Sequence, residues 1–496
     1  ATCGGHGTCG RCRVILVRGH LSEPTSVERE LLSSGELTNG VRLACQAAPL
    51  TDCLINVPSE SLTATQRIQV EGLQTVQGTD PPVTSYKVTT APAGLDDVRA
   101  DDQRILTALS QTHGIECTTL DPEAARELPQ TLRSGEWTIG VSARNTEVVA
   151  VGPWPAPTLG LAVDLGTTKI AAYLLDLSNG ETLSASGAMN PQIRHGEDVV
   201  ARLTHAMTAP RGAKDLAEEA LAAIGELAAS LATDAGVDIS RILETVIVGN
   251  TAMHHLLLQL PVDQLARAPY VPAVTGALDI KARELQLCIG RGAYVHLPPN
   301  IAGFVGADHV AMLLASGVTS DSGPILAIDI GTNTEVCLAA NGCLTTASCA
   351  SGPAFEGGHI RDGMRAAPGA IEHVQILENE VGLQVVDGVE PTGVCGSGIL
   401  DALAQMTARG IVDTMGRLSR DHPRTTQHGN ALQFDLVTRD ERGGRTAIAV
   451  TQNDVRQLQL AKAAIATGIQ ALLEHARLEP AQLNTIIVAG RLGRIY

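Results

Sequence analysis

An apolar run that ends in Asp-x-Gly-Thr occurs twice in this sequence, and this repeat constrains the fold more than any other feature. The first copy is Leu161–Lys169 and the second is Ile325–Thr334, and their aspartates are 165 residues apart. Each run predicts a buried strand, and the residues after it predict a turn whose N–H groups approach an anion such as phosphate. The aspartate cannot itself bind phosphate, so we expect it to hold a hydrated Mg²⁺ beside the phosphate oxygens.

A second repeated pattern follows each copy. Thr245–Asn250 and Thr485–Gly490 both predict a buried strand that ends in a glycine turn. One Asp-x-Gly-Thr turn would be weak evidence, because such turns close many ordinary hairpins. Two turns with matching distal strands predict a duplicated α/β domain with a nucleotide cleft between its halves. From about residue 158 to its end, the chain resembles the actin-like ATPase superfamily of sugar kinases, heat-shock proteins and actin.

This resemblance implies that the two turns clamp the phosphates of ATP and that Asp164 and Asp329 are the catalytic carboxylates. Lys169 either neutralises a phosphate or is a solvated lysine at the start of a helix. The glycine turn of Cys395–Asp401 opens a predicted helix and suits an anion or a nucleotide ribose. The candidate nucleotide-binding residues are Gly166, Thr167, Thr168, Lys169, Gly331, Thr332, Asn333, Gly396, Ser397, Gly490 and Gly493.

Four cysteines form the second strong pattern. Cys3, Cys9 and Cys12 follow the spacing C-x₅-C-x₂-C in a glycine-rich loop, and Cys45 supplies a fourth thiol. Such a loop can point several N–H groups at sulfur atoms, so the pattern favours a [2Fe-2S] cluster of the ferredoxin type. A structural zinc site is the alternative, but zinc ribbons usually have two C-x₂-C pairs and this chain has one. Cys53 is predicted to be a packed or free thiol.

Composition excludes several classes of function. The net charge of −17 argues against a nucleic-acid partner, which would require clustered Lys and Arg. No uninterrupted apolar run approaches the ~18 residues needed to span a membrane. Eleven cysteines in 496 residues are too few for a disulfide scaffold, so we expect a reducing, cytoplasmic compartment.

The chain is predicted to be an α/β protein of several domains. We expect a β-grasp [2Fe-2S] ferredoxin domain over residues 1–58, a linker over 59–80, a small α/β middle domain over 81–152, and a ribonuclease H-like, actin-like ATPase domain over 158–496. Residue 1 falls inside the cysteine loop, and the sequence ends six residues after Gly490. We therefore expect the first domain to be truncated at its N-terminus and the last at its C-terminus.

Other segments lead to more local predictions. Tyr86–Thr90 alternates as a strand does, Asp97–His113 has helical spacing, and Thr451–Leu473 predicts a core helix that starts with a Thr-x-x-Asp cap. The tandem histidines at 254–255 are predicted to lie on the surface of a capped helix, because neighbours on a helix point about 100° apart and make a poor metal pair. Asp308 is either a cleft carboxylate or a helix cap.

The combination of motifs is more specific than any one of them. Their order along the chain is Cys-Gly-Gly-x-Gly-Thr-Cys-Gly-x-Cys, Asp-Leu-Gly-Thr-Thr, Gly-Asn-Thr-Ala-Met, Gly-Pro-Ala-Phe-Glu-Gly, Cys-Gly-Ser-Gly and Ala-Gly-x-x-Gly. This order closely resembles the reductive activators of corrinoid proteins. One departure is visible, since Arg491 and Leu492 stand where that family usually has Gly and Phe.

The resemblance implies a homodimer that takes an electron from an upstream donor and uses ATP to reduce a Co(II) corrinoid protein to Co(I) in a methyltransferase system. The four cysteines would carry the electron, and the two turns would carry Mg·ATP. An alternative is a redox-regulated ATP-binding sensor or scaffold in which the cluster gates the ATPase domain. A small-molecule kinase with a ferredoxin domain is a third possibility, but the sequence has no polar cluster typical of sugar binding.

Overall fold

In the computed structural model, the two copies of the sequence repeat lie in sheets that share the same order of four strands. In each copy three consecutive strands form an antiparallel meander, and a fourth strand from much further along the chain pairs in parallel with the first. Asp164 lies opposite Val248 in one sheet, and Asp329 lies opposite Ala489 in the other. The structure therefore confirms the duplicated α/β fold and gives the two aspartates equivalent positions.

The structure describes residues 10, 12–56, 80–155, 157–196, 198–319, 323–331, 333–377, 380–428 and 431–490. The chain divides into two compact units, one formed by Ile68–Ala315 and the other by Ala1–Arg67 together with Ser316–Tyr496. Each copy of the repeat belongs to a different unit. None of the described helices is long and apolar enough to cross a membrane.

A small three-stranded sheet comes first in the chain. Its elements are β1 (Arg13–Arg18), α1 (Ser26–Leu31), α2 (Ser34–Thr38), β2 (Val41–Leu43) and β3 (Leu54–Asn56). β1 lies between β2 and β3 and pairs with both in antiparallel fashion. Thr25 begins α1 with a capping box, in which its side chain and that of Glu28 each accept a backbone N–H of the other.

The next elements form a small α/β domain. They are β4 (Val83–Thr89), α3 (Asp101–His113), β5 (Thr119–Leu120), α4 (Pro122–Ser134), β6 (Thr138–Arg144) and β7 (Glu147–Gly152). The sheet order is β4-β6-β7-β5, and Ile105 and Leu109 of α3 are buried as predicted. The helix begins four residues later than predicted. The Asp97 carboxylate instead binds Arg99 and Arg104, which holds the preceding residues in a turn.

The first half of the duplicated fold is built on a six-stranded sheet. Its elements are β8 (Leu159–Leu165), β9 (Lys169–Asp176), β10 (Glu181–Met189), α5 (Val199–Thr208), α6 (Gly212–Ala235), β11 (Ile242–Val248), α7 (Thr251–Leu257), β12 (Leu278–Lys281), β13 (Tyr294–Leu297) and α8 (Ala307–Ala315). The order is β10-β9-β8-β11-β13-β12. Buried residues of β8, such as Leu161 and Val163, pack against Ile224 of α6 and Met253 of α7 in one continuous core.

The second half contains the other meander and two smaller sheets. Its elements are β14 (Ile325–Ile330), β15 (Thr334–Ala340), β16 (Cys343–Cys349), β17 (Ala370–Leu377), β18 (Glu380–Val385), β19 (Gly393–Val394), α9 (Gly396–Ala408), β20 (Thr425–His428), β21 (Ala431–Val437), β22 (Ile448–Thr451), α10 (Gln452–Ala476) and β23 (Thr485–Gly490). The Thr451 cap and the buried positions of α10 confirm the predicted core helix.

The last strand departs from the prediction that it would be buried. β23 is at the edge of the order β16-β15-β14-β23, and Ile486 and Val488 are 58% and 40% exposed. The apolar side chains of α10 join the core formed by β14, β15 and β16. Among the described residues, this packing leaves much of the edge strand open to solvent.

Candidate functional site

The first predicted phosphate turn joins β8 to β9, and side chains behind it hold its backbone. Asn190 donates its Nδ2 to the carbonyl of Gly166 at 2.9 Å and its backbone N–H to the carbonyl of Thr168 at 3.0 Å. Gly166 is required by close approach, because a Cβ there would lie 2.7 Å from the Lys169 carbonyl oxygen. Lys169 begins a strand, so the prediction that it starts a helix is wrong.

A buried arginine completes this support. Arg202 of α5 is 0% exposed, and its Nη2 donates to the Thr167 carbonyl at 2.5 Å. Its other groups donate to the Gly196 carbonyl at 2.9 Å and to the side-chain oxygen of Gln192 at 3.2 Å. Burial lowers the pKa of Arg202 to about 10, so the guanidinium stays charged at neutral pH. A cation therefore lies directly behind the turn.

The turn after β11 lies beside the phosphate turn. Asn250 caps α7 by accepting the Met253 N–H at 3.0 Å, and its Nδ2 donates to the Thr167 hydroxyl oxygen at 3.1 Å. The Asp308 backbone N–H donates to the Gly249 carbonyl at 3.3 Å, which places this carboxylate near the same turn. Burial raises the pKa of Asp308. The two strand ends of the first half therefore meet as the repeat predicts.

The tandem histidines are buried, so the prediction that they lie on a helix surface is wrong. His254 and His255 are 3% and 0% exposed, because α7 is short and packs into the core on all sides. His255 accepts the Ala273 N–H at Nε2 and donates Nδ1–H to the Thr251 carbonyl. Burial lowers the pKa of both rings, that of His254 to about 4, so both are neutral core residues.

The second predicted phosphate turn follows β14. Asp329 is the next-to-last residue of this strand, and Gly331 and Asn333 are in the turn, whereas Thr332 and Gly493 lie outside the described residues. Gly490 has a φ of +85°, and a Cβ there would lie 2.5 Å from the Ile330 carbonyl oxygen and 3.1 Å from Asp329 Oδ1. The end of β23 therefore lies against the Asp329 carboxylate.

The Gly-Ser-Gly motif opens α9, as predicted. A Cβ on Gly396 would lie 1.9 Å from the Phe355 carbonyl oxygen, and one on Gly398 would lie 2.1 Å from that of Ile371. The Ser397 hydroxyl lies 3.2 Å from the Cys395 Sγ. Close packing thus requires these glycines, while contact of Gly396 and Ser397 with a nucleotide stays a prediction.

Two of the four predicted cluster ligands lie side by side in the N-terminal sheet. Cys12 precedes β1 and Cys45 follows β2, and because these strands pair, their Sγ atoms come within 3.2 Å. This separation exceeds the ~2.0 Å of a disulfide. Two thiols at this distance fit soft-metal ligation by either an iron–sulfur cluster or zinc. Cys3 and Cys9 lie outside the described residues.

Cys53 is far from this pair. Its Sγ is 3.3 Å from the His20 carbonyl oxygen and 3.2 Å from that of Thr51, so Cys53 lies near the opposite end of β1. At ~3.3 Å per residue, the strand separates Cys53 from Cys12 by roughly 20 Å. No group of three or more His, Cys, Asp or Glu side chains among the described residues is placed to hold a metal ion.

Sequence reasoning missed Arg202 and a charged network elsewhere in the same unit. In that network, Arg144 of β6 binds Glu244 at 2.8 Å and Asp279 at 2.8 Å, and Lys281 binds Asp121 at 2.8 Å. The Tyr294 ring contacts both cations, with its centre 4.2 Å from the Arg144 guanidinium carbon and 3.9 Å from Lys281 Nζ. These mostly buried contacts fasten the small α/β domain to the six-stranded sheet.

The chain matches three regions of one protein family. Residues 74–155 match the RACo linker region, residues 159–321 match the RACo middle region, and residues 323–496 match the C-terminal domain of RACo, the ASKHA domain. The small α/β domain thus falls within the linker region, and the two halves of the duplicated fold fall within the middle and C-terminal regions.

Named relatives agree with these matches. The chain is 35% identical over 346 residues to the corrinoid activation enzyme RamQ of Eubacterium limosum, covering 68% of this chain and 58% of that protein. It is 28% identical over 291 residues to a Co(II) methylated amine-specific corrinoid protein reductase of Methanosarcina barkeri, covering 52% of each. The chain therefore spans about half the length of the curated relatives it matches.

A solved structure also matches over the whole chain. It is the reductive activator for corrinoid, iron-sulfur protein, with 33% identity and a TM-score of 0.76, and the match covers 100% of this chain and 81% of that one. The chain belongs to the RACo family of reductive activators of corrinoid proteins.

Proposed function

We propose that this protein activates a corrinoid protein by reducing Co(II) to Co(I), in a reaction driven by ATP. The observation that carries the proposal is the repeated turn, which has an aspartate at the same point of two sets of four strands with the same topology. Two of the relatives, a corrinoid activation enzyme and a corrinoid protein reductase, support the same reaction. The corrinoid protein and an upstream electron donor are the proposed partners, and a homodimer is the proposed assembly.

In this proposal each turn binds phosphate oxygens of Mg·ATP. The N–H groups and hydroxyls of Thr167 and Thr168 bind phosphate oxygens, with Gly331, Thr332 and Asn333 acting likewise in the second turn. Asp164 and Asp329 hold the hydrated Mg²⁺, because Mg²⁺ prefers oxygen ligands such as these carboxylates. Asp164 is exposed near the end of β8, so a ligand can reach its carboxylate. Gly490 packs against Asp329, so the backbone of β23 supports that carboxylate.

The thiols of Cys12 and Cys45, with Cys3 and Cys9, are the proposed ligands of a [2Fe-2S] cluster. When bound, such a cluster supplies a one-electron carrier. The 3.2 Å approach of the two described sulfur atoms supports a shared metal centre, and it suits zinc equally well. The cysteine spacing described above is what favours iron and sulfide.

The need for ATP follows from the redox chemistry. Ferredoxin-type clusters have potentials near roughly −400 mV, and reduction of a Co(II) corrinoid requires a lower potential. A bound cluster would supply one electron for each Co(II) reduced to Co(I), so the transfer would balance but would be uphill. ATP hydrolysis to ADP and phosphate can drive it only if the two nucleotide states differ in affinity for the corrinoid partner or its redox states.

The test is to measure ATP hydrolysis and Co(I) formation in one sample of the full-length protein with a corrinoid protein and a reductant. Asp329→Asn and Asp164→Asn keep the shape of the carboxylate but remove its charge, so turnover is expected to fall by orders of magnitude and Co(I) formation with it. Asp440→Asn, at an exposed position of the second half, is the matched control and should leave both rates unchanged.

Two results would count against the proposal. Normal Co(I) formation with hydrolysis abolished would show that ATP cleavage does not drive the electron. ATP hydrolysis that responds to the redox state of the cluster, without Co(I) formation from any corrinoid protein supplied, would favour the redox-regulated sensor.

A further inference from the structure

The guanidinium of Arg202 behind the first turn has no role in the mechanism described so far. Its hydrogen-bond partners among the described residues are all neutral, including the Thr167 and Gly196 carbonyls and the Gln192 side chain. Moving a charged group out of water costs several kcal/mol. An arginine that is 0% exposed among such partners therefore requires an explanation beyond packing.

The hydrogen bonds of the turn determine which way its peptides face. Asn190 holds the Gly166 carbonyl and Arg202 holds the Thr167 carbonyl, both from behind the turn. In a trans peptide the carbonyl and the N–H of the next residue point in opposite directions. The Thr167 N–H is therefore directed away from Asn190 and the Thr168 N–H away from Arg202, so both are free of the side chains behind the turn and could meet an anion.

The charge of Arg202 acts in the same direction. Asp198, which caps α5 by accepting the Ala201 N–H, partly offsets the burial that lowers the pKa of Arg202, yet its carboxylate is not among the described hydrogen-bond partners of the guanidinium. A buried charge is screened less than one in water, so it contributes a positive potential at the turn. The arrangement resembles the anion preference of a helix N-terminus, with a full charge in place of a partial one.

We propose that Arg202 is a positioning residue for the nucleotide phosphates: it holds the Thr167 carbonyl behind the turn so that N–H groups face the phosphate, and its buried charge favours an anion there. This inference rests on the proposed binding of ATP by the first turn. It predicts that Arg202 acts on the phosphates of the nucleotide and has little effect on adenosine.

The test compares ATP and adenosine binding by calorimetry to the full-length wild-type protein and three variants. Arg202→Met keeps much of the volume and loses charge and donors, so ATP affinity is expected to fall about 10- to 100-fold while adenosine affinity changes less than about twofold. Arg202→Lys keeps the charge and fewer donors, so an intermediate loss of about 3- to 10-fold is expected for ATP alone.

Arg241→Met is the matched control. Burial also lowers the pKa of Arg241, whose Nε donates to the Pro157 carbonyl at 2.9 Å. It precedes β11, whereas the phosphate turn lies beyond the other end of that strand, roughly 20 Å away at ~3.3 Å per residue. Both ligands should bind this variant within about twofold of wild type.

The outcomes separate the inference from the proposed function. Equal losses for ATP and adenosine in Arg202→Met, or unchanged ATP binding in Arg202→Lys, would overturn the positioning role while leaving ATP binding intact. If the Met variant does not fold, the Lys variant alone decides. Wild-type protein that binds no ATP would overturn the proposed function and this inference together.

Discussion

Acid should loosen the N-terminal sheet that carries Cys12 and Cys45, through one buried carboxylate. Glu28 is 0% exposed, and its two oxygens accept four hydrogen bonds, two from Arg42 and one each from the backbone N–H groups of Thr25 and Leu43, at 2.8 to 3.0 Å. Burial raises the pKa of Glu28, but Arg42 and the backbone donors lower it further, to about 2.

The size of the effect follows from this pKa. A carboxyl with an ordinary pKa of 4.5 that titrates at about 2 in the folded protein stabilises the fold by about 3 kcal/mol at neutral pH. The folded pKa is the lower one, so this stability is complete above pH 4.5 and is lost as the pH falls toward 2. About 2 kcal/mol of it should be gone by pH 3.

Hydrogen exchange of the β1 and β2 amides, corrected for the intrinsic rate, measures this opening locally. Glu28→Gln places an NH₂ group against the donors of Arg42 and the backbone, so protection at pH 7 is expected to fall about 100-fold and to vary little between pH 5 and pH 3. Glu23→Gln, at an exposed position nearby, is the control. Wild-type protein whose protection stays constant from pH 5 to pH 3 would refute the reasoning.

Two further predictions concern the small domain and the cysteines. Arg144→Met should destabilise the unit of Ile68–Ala315 by about 3–5 kcal/mol in urea unfolding, because Glu244 is left buried without its partner. The double variant Arg144→Met/Glu244→Leu should recover most of this loss, and additive destabilisation by the two substitutions would contradict the prediction. Cys45→Ser should lower the iron and sulfide bound per chain, and Cys53→Ser should not, since only Cys45 lies beside Cys12; one zinc and no sulfide would end the cluster proposal.

The features predicted from sequence are those encoded in short, regular patterns. The strands of the repeat and the cap of α10 are encoded locally, and the structure confirms them, although β23 is at an exposed sheet edge and not buried as predicted. The sequence also predicts Cys45 as a fourth thiol beside the cysteine loop, and the structure places it next to Cys12, while its role as a ligand stays a prediction. The spacing favours iron and sulfide, whereas the four thiolates themselves would accept either an iron–sulfur cluster or zinc.

The errors arise where burial depends on distant parts of the chain. His254 and His255 occur in a pattern that suits a surface helix, but α7 is enclosed by neighbours that no local pattern specifies. The buried position of Arg202 could have been predicted from its place in the sequence. This residue takes a position on the buried face of α5 between Val199 and Leu203, at the i, i+3 and i+4 spacing normally held by apolar residues. A cation on such a stripe indicates a buried acceptor.

The contacts of Arg144 and Lys281 around Tyr294 attach the small α/β domain firmly to the first half of the duplicated fold. Mostly buried ion pairs with a shared aromatic ring resist sliding, so the two parts turn as one piece. A spin label at Gln103, exposed on α3, would therefore report rotations of the half that contains Asp164 without touching the nucleotide. A movement of this half that is difficult to detect at the phosphates would then be detected at the label.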